Sequence, residues 1–323
     1  MSERLFLAIE SSCDETAAAI VRGREVLAEA VATQAELHER FGGVVPEIAS
    51  RRHLELVDLV VRDVLERSGV GRVENVDAIA VTQGPGLVGA LLVGIAAAKA
   101  RAWAADVPLV AVDHLLGHVA SAMLNPQVEV EPPYLCLLVS GGHTLLLDVD
   151  ERLAVTLLGT TRDDAAGEAF DKGARLLGLD MPGGPALAAL AATVSDEARA
   201  AGPVFTPAMV HHDTLDTSFS GIKTALAVAV RDRYQTHGAD GPSDAQLAAA
   251  YEQAIVETLA GSVRKLLKRE GHGPVTRMRA IHWCSSVESQ PMNGCGTASR
   301  SNVEIPVCDP SQHRYSGVVT TPR

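Results

Sequence analysis

Aromatic residues are scarce in this 323-residue chain, at 3% of the total. Any core must therefore be built from Ala, Val and Leu, which fill space only when packed closely. Positive charge is also in deficit: 28 Lys and Arg face 40 Asp and Glu, a formal net charge of -12. That excludes non-specific attraction to nucleic acid by net charge, although not a local basic patch. The five cysteines (Cys13, Cys136, Cys284, Cys295 and Cys308) include no CxxC pair, and their odd number argues against a disulfide framework. Met1-Ser2-Glu3-Arg4 is not the opening of a signal peptide. The longest apolar run, residues 87–98, carries glycines, ends at Lys99 and falls short of a bilayer span. Together these absences set the expectation of a soluble, cytoplasmic protein with no membrane association.

What is present is a regular alternation of buried strands and helices, with 47% hydrophobic residues and length for about two domains. Short apolar runs at 5–9, 17–21 and 26–31 predict three strands, the first two joined by the polar turn Glu10-Ser11-Ser12-Cys13-Asp14-Glu15-Thr16. A helix is expected over 46–67, opened by Pro46, then a strand at 76–81. The turn Gln83-Gly84-Pro85-Gly86 follows, then a small-residue helix over 87–104 and a strand at 109–112. The pattern then restarts. Strands are expected at 134–139, 145–149 and 153–158, the first pair joined by Ser140-Gly141-Gly142-His143-Thr144. Helices are expected over 167–177, 185–200, 220–237 and 245–269. A module that occurs twice implies two similar α/β lobes, each with a polar hairpin turn. Such turns either expose backbone N–H groups to an anion or simply make tight hairpins; their duplication favours phosphate binding.

His114 and His118 stand four apart. On a helix that spacing puts both imidazoles on one face, a pair suited to zinc or iron if a further ligand comes from elsewhere. Helix-surface or core histidines have the same spacing. After residue 281 the regularity stops: 282–323 is rich in Ser, Thr, Pro, Gln and Cys, without a period of 2 or 3.6, and reads as loop or disorder. The strand expected after the helix over 245–269 is not legible there.

Up to about residue 269 the chain resembles the TsaD family of tRNA N6-adenosine threonylcarbamoyltransferases. The resemblance is spread over many segments. It includes Ile9-Glu10-Ser11-Ser12-Cys13-Asp14-Glu15-Thr16, then Phe41-Gly42-Gly43-Val44-Val45-Pro46-Glu47 with Ser50-Arg51-Arg52-His53, and Gln83-Gly84-Pro85-Gly86. Asp113-His114 with Gly117-His118, and Leu138-Val139-Ser140-Gly141-Gly142-His143-Thr144, also belong to it. So do Gly167-Glu168-Ala169-Phe170-Asp171-Lys172, Pro182-Gly183-Gly184-Pro185 and Ser218-Phe219-Ser220-Gly221-Ile222-Lys223.

The resemblance implies an α/β protein of the duplicated actin/Hsp70-like ATPase (ASKHA) fold, two lobes around a nucleotide cleft. The lobes would span 1–130 and 131–281, the second incomplete, followed by an aberrant, disordered tail over 282–323. It implies transfer of threonylcarbamoyl from threonylcarbamoyl-AMP to the N6 amine of the adenosine 3′ of the anticodon, in tRNAs reading codons that begin with A. His114 and His118 would be ligands to one divalent metal ion per subunit, iron first and zinc as the alternative. Leu138, Val139, Ser140, Gly141, Gly142, Asp171 and Gly184 would bind the adenylate. Asp14 and Glu15 are the expected catalytic carboxylates, orienting substrate or accepting a proton; as residues alone they are equally turn-forming acids. The partners implied are tRNA and TsaB-like and TsaE-like proteins. Lys223 either meets phosphate or caps a helix face. Arg51 and Arg52 either face tRNA or are simply solvated. Asp171 has its own plainer reading, a helix-surface acid paired with Lys172 or Arg175.

Two departures matter. Where many members place a carboxylate three residues past the Pro-Gly-Gly-Pro stretch, this chain has Ala188. The family's Gly-Gly-Val-Ala-Ala-Asn and Cys-Thr-Asp-Asn segments, which supply a nucleotide-contacting Asn and the completing metal ligand, do not occur. Back-translation of residues 282–295, read from the last base of each codon, admits Leu-Val-Leu-Val-Gly-Gly-Val-Ala-Ala-Asn-Glu-Arg-Leu-Arg. The tail therefore reads as frameshifted, and the expectation is weak or absent activity. The alternatives are a non-catalytic scaffold for TsaB-like partners and a metalloendopeptidase. The latter is disfavoured because Leu115, not Glu, follows the first histidine.

Overall fold

The structure is a computed structural model. It describes residues 3–41, 43–124, 130–207, 209, 212–233, 241–269 and 278–284, the last seven through their backbone alone. The chain divides into two compact units, Met1–Leu124 and Asn125–Arg323.

In the first unit, strands β1 (Leu5–Glu10), β2 (Glu15–Arg22) and β3 (Glu25–Thr33) form an antiparallel meander. β4 (Ala78–Gly84) adds to β1 in parallel, and β5 (Leu109–Asp113) adds to β4, giving the order β3-β2-β1-β4-β5. Between β3 and β4 run the short α1 (Ala35–Glu39) and the long α2 (Pro46–Arg67); α3 (Val88–Ala105) links β4 to β5. α4 (His114–Ser121) follows β5 without a break. α2 starts where the sequence predicts because Pro46, lacking an N–H, costs nothing in a first turn. Its buried stripe (Val57, Val60, Val61 and Val64) closes over Leu7, Ile9 and Ile20 of the sheet. α3 has the length and apolarity of a membrane span. In this fold, however, Val93, Ala98 and Ala102 belong to the core, and Arg101 pairs with Asp58 of α2.

The second unit repeats the plan. β6 (Tyr134–Ser140), β7 (Thr144–Val149) and β8 (Val155–Thr160) are antiparallel neighbours, and β9 (Met278–Cys284) lies parallel to β6, in the order β8-β7-β6-β9. β9 corrects the expectation that the closing strand is missing. A parallel ladder is formed by main-chain groups, so Met278-Arg279-Ala280-Ile281 and the three residues after it can pair whatever side chains they carry. The tail over 285–323 lies outside the described residues.

Helices α5 (Ala166–Leu176), α6 (Gly183–Ala191), α7 (Asp196–Ala200), α8 (Ser220–Asp232) and α9 (Asp244–Arg269) complete the unit. The single helix expected over 185–200 is broken in two. Thr193 turns its hydroxyl back on Leu190 O at 2.7 Å, and Ser195 caps the next helix through Ala198 N at 3.2 Å. The helix expected over 220–237 is regular as far as Asp232; residues 234–237 lie outside the described residues. The scarcity of aromatics shows in how the core closes. A Cβ on Gly173 of α5 would lie 2.2 Å from the Tyr251 ring of α9, and Tyr251 Oη donates to Ala169 O at 2.8 Å. One large ring is thus seated in a gap that only a missing side chain leaves.

Candidate active site

In the first unit the site grows from the end of β1. Glu10 accepts hydrogen bonds from Ser12 N and from Thr82 Oγ1 of β4, and its Oε2 lies 3.3 Å from His114 Nδ1. Burial pushes its carboxyl up, but the bonds from His114, Ser12 and Thr82 more than offset this and hold it down at about 2. Ser12 Oγ is also 3.2 Å from His114 Nδ1. The turn Gln83-Gly84-Pro85-Gly86 locks Ser12 in place: Leu87 N donates to Ser12 O at 2.7 Å. A Cβ on Gly86 would meet that same oxygen at 2.6 Å, so the close approach requires glycine.

α4 begins at His114 because Asp113 caps it, accepting from Leu115 N at 2.8 Å and Leu116 N at 3.1 Å. One turn on, His118 Nε2 stands 3.2 Å from His114 Nε2, with the ring centroids 4.5 Å apart. Two nitrogens bound tetrahedrally at about 2.0–2.1 Å would be separated by roughly 3.3 Å, so the pair fits a metal of the zinc or iron kind. The carboxylate behind Nδ1 is the arrangement that fixes a ligating histidine with its Nε2 lone pair forward. Among the described residues no group of three His, Cys, Asp or Glu side chains converges on one point.

Asp14 and Glu15 lie on the β1–β2 turn. Asp14 is buried, its main-chain oxygen accepting from Gln34 N at 3.0 Å, whereas Glu15 opens β2 and is half-buried. Cys13 is exposed, yet partial desolvation and the neighbouring Asp14 carboxylate push its thiol up to about 12.

In the second unit the polar turn has a compact form: Ser140 N donates to His143 O at 2.8 Å, and His143 N donates to Ser140 Oγ at 3.0 Å. Leu138 and Val139 are fully buried within β6, paired on one side with β7 and on the other with β9. Access to a ligand therefore falls to Ser140, Gly141 and Gly142. The first turn of α5 sits directly on this turn, since a Cβ on Gly167 would lie 2.7 Å from Ser140 O. Ala166 N is satisfied by Thr144 Oγ1 at 2.9 Å.

One turn along α5, Asp171 Oδ1 accepts from Gly183 N at 3.0 Å, and the Gly184 amide bonds the same carboxyl. Asp171 thus anchors the start of α6, which brings Asp171 and Gly184 together. Its pKa is raised by burial, with the two amides and Arg175 opposing. Of the two cations in the plainer alternative, Arg175 acts on the Asp171 carboxyl, whereas Lys172 pairs with Asp164 at 2.6 Å and Glu168 at 2.9 Å.

Sequence reasoning missed three groups. Glu10, the partner of His114, stood inside a quoted motif but carried no role. His53, on α2, is wholly buried against the Asp14 turn. The third is the pair Asp163 and Asp164. Asp163 accepts from Phe219 N at 2.8 Å and Ser220 Oγ at 2.7 Å, and so starts α8. Asp164 joins Lys172 of α5 to Lys223 of α8, each at 2.6 Å. The Lys223 ammonium is thereby engaged with a carboxylate. Arg52 pairs with Glu55 on the same helix, and Arg51 is exposed.

Burial raises the Asp164 carboxyl, but Lys172 and Lys223 outweigh that and lower it below its ordinary value. A lowered folded-state pKa stabilises above the unfolded value of about 3.9 and ceases to do so as pH falls through the folded value. Stability to urea should therefore decline below about pH 4, and Asp164→Asn should flatten that acid limb while lowering the midpoint near neutrality. An acid limb of the same slope in the variant would contradict this role for Asp164.

Two units whose first four strands take the same order, with a polar turn after the first strand of each, define the duplicated actin/Hsp70-like ATPase class of α/β protein. Residues 25–290 match the family model described as TsaD, tRNA N6-adenosine threonylcarbamoyltransferase. Proteins of that name are similar over most of their length. One from Anaeromyxobacter dehalogenans is 54% identical over 267 residues, covering 81% of this chain and 76% of the relative. One from Clostridium perfringens is 46% identical over 269 residues, covering 83% and 77%. One from Clostridioides difficile is 43% identical over 277 residues, covering 85% and 80%. The chain belongs to the TsaD family of tRNA N6-adenosine threonylcarbamoyltransferases.

Proposed function

We propose that this chain transfers the threonylcarbamoyl group of threonylcarbamoyl-AMP to the N6 amine of the adenosine 3′ of the anticodon, in tRNAs reading codons that begin with A. The observation that carries the reading is the pair of Nε2 atoms 3.2 Å apart, with Glu10 behind one ring, in a member of this family. Ser140, Gly141 and Gly142 hold the adenylate phosphate through their turn, and Asp171 with Gly184 holds the nucleoside end. The N6 nitrogen attacks the carbamoyl carbon, the bond from that carbon to the phosphate oxygen breaks, and AMP leaves. The proton lost from nitrogen passes to Asp14 or Glu15, which also orient the amine. A divalent ion held by His114 and His118, iron or zinc, would supply Lewis-acid polarisation of the carbonyl. TsaB-like and TsaE-like proteins are the proposed partners.

The frame-restored chain, incubated with those partners, threonylcarbamoyl-AMP and tRNA, should form N6-threonylcarbamoyladenosine in the tRNA. Absence of the modified nucleoside from a folded, metal-loaded preparation would sink the proposal. A scaffold reading has one observation in its favour, the lack of the Asn and metal-completing segments in the tail. It predicts partner binding by the chain as it stands, with no modified tRNA formed.

A further inference from the structure

We propose that His53 is the positioning residue for the Asp14–Glu15 pair, tying their turn to α2; this rests on the role assigned above to that pair. His53 occupies a core position of α2, on the face that carries Ala49, Leu56, Val57 and Val60, and its exposure is 0%. A leucine would satisfy that position by packing alone, so the imidazole, which is costly to bury without partners, is explained by its bonds. Its Nε2 lies 3.0 Å from Cys13 O, and its Nδ1 lies 2.7 Å from Thr16 Oγ1. A carbonyl can only accept, so Nε2 carries the hydrogen; in the neutral ring Nδ1 then accepts from the Thr16 hydroxyl.

The two contacts bracket the acid pair, one on the residue before Asp14 and one on the residue after Glu15. A second tie comes from the other side of the turn. Gln34 N holds Asp14 O at 3.0 Å, and the Gln34 side chain lies between His38 Nε2 at 3.2 Å and Ala49 O of α2 at 3.5 Å. The carboxylates are thus carried on a short segment gripped from a helix, and a turn so held need not reorganise as the amine arrives.

The test compares Thr16→Val, His53→Gln and His53→Met. Amide hydrogen exchange is read on the full chain, and transfer kinetics on its frame-restored form with partners. Exchange at residues 13–16 should quicken by about tenfold or more in each variant, while the rest of α2 stays protected. kcat should fall about tenfold in Thr16→Val and about a hundredfold in His53→Met, with KM for the adenylate unchanged. His53→Gln keeps a donor toward Cys13 O and should fall between them. In combination with Asp14→Asn, the His53→Met loss should largely disappear, because both act through the same carboxylate.

Thr16→Val removes a single hydroxyl and keeps the readout available if His53→Met fails to fold. Unchanged exchange at residues 13–16 in Thr16→Val and His53→Gln overturns the proposal, as does a kcat loss that multiplies in full with that of Asp14→Asn. If Asp14→Asn and Glu15→Gln leave kcat intact while the exchange effect persists, the catalytic reading of the acid pair has failed but the mechanical tie has not.

Discussion

His114→Ala, made in the frame-restored chain, should lower divalent-metal affinity by more than about a hundredfold and transfer by a comparable or larger factor. The two Nε2 atoms stand 3.2 Å apart because Asp113 starts the helix at His114, so a single truncation leaves one imidazole where a chelating pair was. Replacing the partner behind a ligand typically costs ten- to a hundredfold in affinity, and loss of the ligand itself costs more. Glu10 would also lose its contact with His114 while remaining tied to Ser12 and Thr82. His118→Ala should match His114→Ala, whereas Glu10→Gln should fall between them and the parent. Titration with zinc or iron, read by calorimetry, separates these variants without any need for turnover. Parental affinity in His114→Ala would remove the metal from the account altogether.

Restoring the reading frame from residue 282 should raise transfer at least about a hundredfold over the chain as it stands. Unit symmetry supports this. In the first unit β4 lies parallel to β1 and ends in Gln83-Gly84, continued by Pro85 and Gly86, and Gly86 packs on the β1–β2 turn. β9 holds the equivalent place beside β6, and the restored frame would read Leu-Val-Leu-Val from residue 282 and then Gly-Gly-Val-Ala-Ala-Asn, where this chain has the stretch from Ser286 to Met292. A lost hydrogen bond to nucleotide costs about 1–3 kcal/mol, and each 1.36 kcal/mol is tenfold in rate; the missing metal ligand adds to that. Complementation of a strain lacking the transferase, with both forms side by side, gives the readout. Equal rescue would show that the tail is dispensable. Resequencing the gene across codons 282–295 reports separately whether the shift lies in the gene or in its reading.

The acid pair, the histidine pair and the glycine turns were legible because each is a local pattern. Spacing along one helix or one hairpin fixes which groups are neighbours, and no distant part of the chain can alter that. The same holds for the most buried strands, β4 and β6, whose continuous apolar runs suit the inside of a sheet, whereas β3 and β5 carry no buried residue. Misreadings arose where a local signal was weak or a contact was distant. Ser195, a single cap residue, split a helix that looked continuous. β9 was hidden because its pairing depends on the backbone, while its sequence changes character partway along. Glu10 and His114 are 104 residues apart, and His53 and Cys13 are 40 apart; only the folded sheet and the packing of α2 upon it bring them together. The amino-acid sequence by itself thus determined the family, the duplicated α/β plan and the residues available for chemistry. Only the tertiary structure decided which buried partner orients each of them, because a hydrogen bond across the core depends on how elements pack and leaves no periodic trace in the chain.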